Sequence, residues 1–389
     1  MGKYNFDEII NRRNTNSYKW DSAADNGVLP MWVADMDFRT APAIVEALAK
    51  RVRHGIFGYT RVPDTYYEAV GAWFRRRHGW DIPPETILYT SGVVPAISAV
   101  IKALASPGDK VIVQTPVYNC FFSSIRNNGC EIADNPLKVE NNRYYMDFEG
   151  LERVASDSKA KLLLLCNPHN PVGRVWNMEE LQKLNDICRR NNVMVISDEI
   201  HCELVFPGNK YIPFASISKE CLANSVTCCS PSKAFNIAGL QIANIISSDS
   251  EIRAKIDKAL NVNEVCDVNP FGVEALIAAY TEGEEWLTEL NEYLYGNYIC
   301  LRDYFSHNLP QLCVTDMEGT YLIWVDCRSL HIDSDTIERQ LLETESLWLN
   351  AGTMYGRDGF MRINIACPRS VMFEGLDRLS RYVSLLTTK

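Results

Sequence analysis

The sequence predicts an α/β protein with a large unit on a mostly parallel β-sheet and a smaller α+β unit after it. Four short segments are apolar nearly throughout, and segments with mixed or helical patterns separate them. Strands without polar alternation are typical of a parallel sheet that helices cover on both faces. The four segments are 110–116, 161–168, 192–200 and 225–232.

The segments between these strands have the pattern of helices. Residues 177–191 are amphipathic and connect the second strand to the third. Apolar residues recur at helical spacing from Val93 to Leu104, directly after the pair Ser91-Gly92. A small polar residue and a glycine before such a run indicate a helix N-terminus. We therefore expect a helix to begin at this point.

The last third of the chain has a different pattern. A long helical segment over 284–310 ends at a proline and begins the smaller unit. The other predicted elements of this unit are strands at 320–326 and 359–368, a helix at 333–346 and a closing helix. We expect a large domain over 45–280 and a small domain that combines 1–44 with 281–389.

Composition excludes several classes of function. The chain has 389 residues, 47% of them hydrophobic, and a net charge of −10, so neither a nucleic-acid partner nor a polybasic membrane contact is expected. No run of 18 apolar residues and no signal-peptide core is present, which predicts a cytoplasmic protein. The 13 cysteines form no C-x-x-C pair. Free thiols rather than disulfides or a metal site are therefore expected.

Polar side chains follow three of the predicted strands where each strand ends. Ligands of an open parallel sheet bind beyond the carboxyl ends of its strands, so these side chains are expected to converge on one site. The residues are Asn167, His169 and Asn170 after the second strand, Asp198, Glu199 and His201 after the third, and Ser230 and Lys233 after the fourth.

Lys233 is isolated from other charges. No other charged residue occurs between Glu220 and Asp249. A lysine in apolar surroundings loses its proton more readily and can form a Schiff base. Pyridoxal phosphate (PLP) needs such a lysine, an acid for its ring nitrogen and a phosphate site. Asp198 supplies the acid, and the helix N-terminus after Ser91 supplies the phosphate site.

Each of these residues also has an ordinary structural interpretation. A single lysine is usually a surface charge, Asp198 alone could cap a strand end, and His201 alone could be a packed core histidine. The order and context of the whole set favour the PLP site.

Several motifs resemble those of a known family. In the family's order, these are HNPVG (169–173), SDEIH (197–201), SPSKAFNIAGL (230–240) and FMRINIACPR (360–369). They resemble fold type I PLP enzymes of the class I/II aminotransferase superfamily, which implies an aspartate-aminotransferase-like fold. Three further motifs are similar to its cystathionine β-lyase, or C–S lyase, branch: MWVADMDF (31–38), FGYT (57–60) and NPHNPVGRVW (167–176).

The resemblance assigns roles around the cofactor ring. It implies that Lys233 binds PLP covalently and that Asp198 pairs with the ring nitrogen. Asn170 would hydrogen-bond the phenolic oxygen of the cofactor. His201 falls where many aminotransferases have a tyrosine that contacts the same oxygen. Tyr118 would stack on the ring and contribute to catalysis and substrate binding.

The resemblance also implies a phosphate site shared between two subunits. Gly92, Val93 and Val94 match the phosphate-binding turn, and Ser230 would add a hydroxyl. Tyr59 matches a tyrosine that reaches the phosphate of a neighbouring subunit, so a homodimer is implied.

Substrate recognition is implied by the C-terminal motif. Arg362 matches the arginine that binds the substrate α-carboxylate, a bidentate task for which a lysine is a poor substitute. The backbone near Ala34 would border the same carboxylate. Gln241 departs from the arginine that many aminotransferases place against the phosphate, so phosphate binding would depend on the other groups.

The implied reaction is β-elimination. A C–S β-lyase would convert L-cystathionine and related S-substituted cysteines to a thiol (homocysteine from cystathionine), pyruvate and ammonia. An aminotransferase is the alternative, because every residue named above serves both reactions. A PLP-binding regulatory protein that acts through a protein partner is a further alternative, since fold does not fix function.

Overall fold

A computed structural model describes residues 2–23, 25–262 and 267–387 of the chain. Its centre is a seven-stranded sheet with the strand order β2-β10-β9-β8-β7-β3-β4. The strands of the chain are β1 (Leu29–Pro30), β2 (Ile87–Thr90), β3 (Lys110–Val113), β4 (Glu131–Asp134), β5 (Lys138–Glu140), β6 (Arg143–Tyr145), β7 (Ala160–Cys166), β8 (Met194–Asp198), β9 (Ser225–Cys229), β10 (Ala243–Ile246), β11 (Cys313–Val314), β12 (Leu322–Asp326), β13 (Leu347–Trp348), β14 (Asn350–Ala351) and β15 (Phe360–Asn364).

The central sheet is parallel except at one edge. Strands β4, β3, β7, β8 and β9 pair in parallel, whereas β10 is antiparallel to both β9 and β2. The middle strands are buried on both faces, which is why their sequences are apolar without alternation. The prediction of a mostly parallel sheet is confirmed.

Helices cover both faces of this sheet and form much of the remaining chain. The predicted helix after Ser91-Gly92 is present as α3. The helices are α1 (Pro42–His54), α2 (Asp64–His78), α3 (Val93–Leu104), α4 (Cys120–Asn127), α5 (Phe148–Ala155), α6 (Met178–Arg190), α7 (Lys219–Ala223), α8 (Ser250–Asn261), α9 (Pro270–Glu282), α10 (Glu284–Asn308), α11 (Ser334–Glu345) and α12 (Arg369–Thr387).

The C-terminal part contains a second, antiparallel sheet with the order β11-β12-β15-β14. The N-terminal strand β1 pairs in parallel with β13, so the first residues of the chain lie against this C-terminal part. The pairing is what the predicted division into 45–280 and a composite small domain requires. The division itself stays a prediction.

The structure shortens the predicted third strand and explains why. The apolar run 192–200 forms a strand only over Met194–Asp198. The backbone then turns, because the N–H of Ile200 bonds the Asp198 carboxylate at 3.1 Å and the N–H of Cys202 bonds the carbonyl of Glu199 at 3.0 Å. The turn carries the side chains after Asp198 away from the sheet.

The composition led to two further expectations, one about membrane-spanning helices and one about the cysteines. Within the described ranges, none of the helices has the length and apolar character needed to cross a bilayer. The cysteines that the structure describes are all free, and most of them are buried.

Candidate active site

A cavity of about 190 Å³ lies beyond the carboxyl ends of β7, β8 and β9, against the N-terminus of α3. Parallel strands present their carboxyl ends at one edge, so residues distant in sequence meet there. Nine of the twelve residues predicted for the site line this cavity: Ala34, Gly92, Val93, Val94, Tyr118, Asn170, Asp198, His201 and Lys233.

Lys233 follows β9 and extends its amine into the cavity. Its Nζ donates to the carbonyl oxygen of Ala34 at 2.5 Å. Burial lowers the pKa of Lys233 to about 8, with Asp35 opposing and Arg362 reinforcing this shift. Lysine 233 is therefore far easier to deprotonate near neutral pH than an exposed lysine, as its uncharged sequence context predicts.

Asp198 is the last residue of β8 and is buried. One of its carboxylate oxygens accepts the N–H of Ile200 at 3.1 Å. In the described part of the chain, no lysine, arginine or histidine forms an ion pair with this carboxylate. Burial raises the pKa of Asp198 to about 7, because the Ile200 N–H and the charge of Lys233 offset the cost of burial only in part.

His201 and Asn170 line the same cavity. His201 is buried, and its Nδ1 has no hydrogen-bond partner within the described ranges. Burial, followed by the positive charges of Lys233 and Arg362, lowers the pKa of His201 to about 3, so the ring is neutral. The carbonyl oxygen of the Asn170 side chain accepts from Nη1 of Arg362 at 3.2 Å.

The N-terminus of α3 forms another wall of the cavity. The first intrahelical bond runs from Ala96 N–H to the carbonyl of Gly92, which leaves the N–H groups of Val93 and Val94 without acceptors in the helix. Such free N–H groups are suited to an anion.

Ser230 is near the cavity but does not line it. Its hydroxyl donates to the carbonyl of Ile242 at 2.5 Å and accepts the N–H of Ser232 at 3.0 Å. Ser232, two residues later, lines the cavity instead.

Arg362 is a buried residue of β15 that does not line the cavity itself but donates to Asn170, which does. Its Nη2 donates to the carbonyl of Trp32 at 2.8 Å, and its guanidinium lies over the ring of Tyr355 at 4.7 Å. Its Nε has no partner among the described residues. An arginine held in this way retains a donor for a ligand carboxylate.

Tyr118 and Tyr59 differ in position. Tyr118 lines the cavity, and burial raises the pKa of its hydroxyl far above the ordinary value. Tyr59 is 97% exposed and lies outside the cavity in the single chain. The roles predicted for both tyrosines stay predictions.

Sequence reasoning missed Tyr321. Its hydroxyl donates at 3.1 Å to the same Ala34 carbonyl that Lys233 contacts. The two donors are distant in the sequence, and Tyr321 precedes β12 as one apolar residue among several. The local sequence carries no signal that separates it from a core tyrosine.

The cavity residues fit PLP. A ring nitrogen that carries a proton would give buried Asp198 the direct ion-pair partner that none of the described residues provides. An oxygen on the ring could use the unpartnered Nδ1 of His201, and the free N–H groups of α3 suit a phosphate. Lys233 supplies an amine for an aldehyde.

Comparisons with known proteins agree with this geometry. The chain is 42% identical to cystathionine beta-lyase PatB of Bacillus subtilis (strain 168), over 98% of this chain and 100% of that protein. It is similar to the crystal structure of cystalysin from Treponema denticola, which contains a pyridoxal 5'-phosphate cofactor, with 36% identity, a TM-score of 0.95 and coverage of 98% and 99% of the two chains.

A PLP-bound C–S lyase from Staphylococcus hominis is similar as well, with 35% identity, a TM-score of 0.91 and 97% of each chain covered. The family model described as aminotransferase class I and II matches residues 27–379, nearly the whole chain. The protein therefore belongs to the class I and II aminotransferase family.

Proposed function

We propose that this protein is a PLP-dependent C–S β-lyase that cleaves L-cystathionine and related S-substituted cysteines to a thiol, pyruvate and ammonia. One observation carries the proposal: a readily deprotonated Lys233 and a buried Asp198 that has no ion-pair partner among the described residues line the same cavity. The choice of a lyase rests on the near full-length similarity to proteins named cystathionine beta-lyase and C–S lyase.

The residues of the cavity divide the chemistry between them. PLP, when bound, supplies an aldehyde for an amino group and an electron-poor ring that accepts electrons from the substrate Cα. Lys233, as a free amine, removes the Cα proton. Asp198 would hold a positive charge at the ring nitrogen by its own negative charge. Asn170 and His201 would hold the ring through its oxygen.

Arg362 positions the substrate. Its bonds to Asn170 and the Trp32 carbonyl fix the guanidinium, so that it binds the α-carboxylate and directs the Cα–H bond towards Lys233. With the Cα proton removed, a sulfur substituent on Cβ leaves as a thiolate and takes up a proton. Water then converts the remaining three-carbon fragment to pyruvate and ammonia.

The decisive assay uses purified protein with L-cystathionine and follows pyruvate without any added 2-oxo acid. A lyase turns over steadily under these conditions, and Lys233→Ala abolishes turnover. L-Alanine has the same amine and carboxylate but no leaving group on Cβ, so it gives no steady turnover. A requirement for 2-oxoglutarate, with glutamate formed as substrate is lost, would establish the aminotransferase instead.

We also propose that the active species is a homodimer with shared sites. Tyr59 is almost fully exposed, and it follows the exposed apolar residues Val52, Ile56 and Phe57, which a second copy would cover. In this arrangement Tyr59 serves the phosphate of the partner's site, together with Gly92, Val93 and Val94 of that site.

Hybrid dimers test this arrangement. Each shared site takes Lys233 from one subunit and Tyr59 from the other. In a hybrid of Lys233→Ala and Tyr59→Ala subunits, both changes therefore fall in one site, and the other site has neither. Mixing the two variants should restore part of the activity, because one site of each hybrid is intact. An active monomer at assay concentrations would overturn the proposal.

A cytoplasmic location is proposed on the chemistry of the cysteines. Free thiols such as Cys120, Cys300 and Cys313, which are not fully buried, persist in a reducing compartment. Fractionation of cells that express the protein, with the substrate assay on each fraction, tests the location.

A further inference from the structure

The segment 32–36 is held by side chains from several parts of the chain. All five of its backbone carbonyl oxygens accept hydrogen bonds from side chains outside the segment. Trp32 O accepts from Arg362 and Asn350, Val33 O and Asp35 O from Asn364, Ala34 O from Lys233 and Tyr321, and Met36 O from Arg12 and Asn236. The segment thus contacts both the proposed substrate arginine and the proposed cofactor lysine.

The Ala34 carbonyl has two donors. Nζ of Lys233 lies 2.5 Å from the oxygen, and the hydroxyl of Tyr321 lies 3.1 Å from it. Tyr321 is fully buried, and burial raises the pKa of its hydroxyl, so the hydroxyl keeps its proton and acts as a donor. A carbonyl oxygen can accept two hydrogen bonds, but two donors compete for its electron density, so each bond is weaker than it would be alone.

The carbonyl does not depend on Tyr321 for its place. Nδ2 of Asn364 donates to Val33 O at 2.5 Å and to Asp35 O at 2.6 Å, so both neighbours of Ala34 are fixed. The side-chain oxygen of Asn364 accepts the N–H of Ala366 at 2.8 Å, which fixes the amide itself. Removal of the Tyr321 hydroxyl therefore removes a competitor and leaves the acceptor where it is.

We propose that Tyr321 is a positioning residue that shares the Ala34 carbonyl with Lys233 and thereby weakens the hold of that carbonyl on the lysine proton. The inference rests on the proposed function in one respect, that Lys233 is the cofactor lysine. The tyrosine favours the neutral amine, which is the form that attacks an aldehyde and removes a Cα proton.

The charged groups that face Lys233 are the same in the wild type and in Tyr321→Phe. Asp35, Asp198 and the thiol of Cys120 favour its ammonium form, and Arg362 opposes it. Tyr321→Phe changes none of these groups. It also leaves Ala34 O with the Lys233 bond, so no buried acceptor loses its last partner.

The experiment measures the free amine of Lys233 directly. Full-length protein is stripped of cofactor and mixed with PLP from about pH 6 to about 10, a range that spans the ordinary lysine pKa and the lowered one. Absorbance follows the lysine–PLP adduct, in which the amine attacks the aldehyde carbon and water leaves. The pH midpoint of the rate reports the pKa of Lys233.

In Tyr321→Phe we expect this midpoint to rise by about 0.5 to 1 pH unit, the equivalent of one hydrogen bond. The rate at pH 7 should fall about three- to tenfold, because fewer amines are neutral there. Tyr298→Phe is the matched control, since this buried hydroxyl bonds the carbonyl of Thr315 at 3.4 Å and the N–H of Met317 at 3.0 Å, away from the cavity. The control midpoint should not move.

The outcomes separate the two proposals. An unchanged or lower midpoint in Tyr321→Phe, or an equal rise in Tyr298→Phe, overturns the role of Tyr321 while the cofactor lysine stands. If the wild type forms an adduct that Lys233→Ala does not abolish, Lys233 is not the cofactor lysine. The proposed function and the role of Tyr321 then fail together.

Discussion

Asp198 ends β8, and Glu203 lies in the turn that follows it. Both carboxylates are buried, but their surroundings are opposite. Glu203 accepts from Nε1 of Trp73 at 2.6 Å and Nε of Arg77 at 2.7 Å, and Nε2 of His78 lies 2.7 Å from it. Burial opposes ionisation of Glu203, but these partners overcome it and lower its pKa. Asp198 has a single backbone donor, and burial raises its pKa to about 7.

The difference separates a structural charge from a functional one. A buried charge with a full set of partners ties together the elements that supply them, here α2 and the turn after β8. A buried charge without partners destabilises the fold unless a ligand supplies the missing charge. His78, Cys202 and Glu203 also place ligand atoms within 4.8 Å of one another, but Arg77 already supplies the positive charge that a metal ion would bring.

The largest expected effect comes from breaking the complete cluster. Glu203→Ala leaves Arg77, His78 and Trp73 without their shared acceptor, so we expect the free energy of unfolding to fall by about 3 to 5 kcal/mol. Urea unfolding of the purified variant measures this change. Turnover per folded molecule should be retained, since Glu203 does not line the cavity.

Glu284 provides the control for this prediction. Its carboxylate contacts the same guanidinium, 3.2 Å from Nη1 of Arg77, but is 42% exposed. Glu284→Ala should therefore cost no more than about 1 kcal/mol. Equal losses in the two variants would contradict the interpretation of Glu203 as the centre of the cluster.

The comparison also marks what a sequence can predict here. The apolar strands and the polar residues after them placed Lys233, Asp198, Asn170 and His201 at one edge, because parallel strands bring their carboxyl ends together. The partners of Glu203 could not be predicted in the same way. They come from a helix more than 120 positions earlier in the chain, and no local periodicity marks them.

The same limit explains the outcome for Tyr321. Tyr321 and Lys233 donate to the same oxygen only because the tertiary fold places the Ala34 carbonyl between them. Their local sequences carry no sign of this arrangement. Ser230 and Ser232 are a second example, since the spacing of two serines in the sequence does not predict which hydroxyl faces the cavity.

Asp198→Asn removes the buried carboxylate that has no ion-pair partner among the described residues. Asp198 binds its proton more tightly in the folded protein, with a pKa of about 7. The stability that this proton gives is complete below the unfolded value of about 3.9 and is lost as the pH rises through the folded value. Without cofactor, Asp198→Asn should therefore raise the free energy of unfolding above that of the wild type by about 4 kcal/mol at pH 8, the equivalent of a pKa difference of about 3 units, and by less than about 1 kcal/mol at pH 4.

Glu203→Gln should show the opposite dependence. Its folded pKa is lowered, so its contribution to stability is present above the unfolded value and is lost as the pH falls. Urea unfolding of both variants at the two pH values measures the contrast. If Asp198→Asn were less stable than the wild type at pH 8, Asp198 would have partners that the cofactor-free fold does not reveal.

The smallest change in unfolding free energy is expected at two neighbouring hydroxyls, those of Ser230 and Ser232. Ser230 donates to Ile242 O at 2.5 Å and accepts from Ser232 N, whereas Ser232 lines the cavity. Without cofactor, Ser230→Ala should lower the free energy of unfolding by about 1 kcal/mol, the usual value of one buried hydrogen bond, and Ser232→Ala should leave it unchanged. Parallel urea curves of the two variants decide this. An equal loss of unfolding free energy in Ser232→Ala and Ser230→Ala would contradict this interpretation. It would mean that a hydroxyl that faces the cavity stabilises the cofactor-free fold as much as a hydrogen-bonded one.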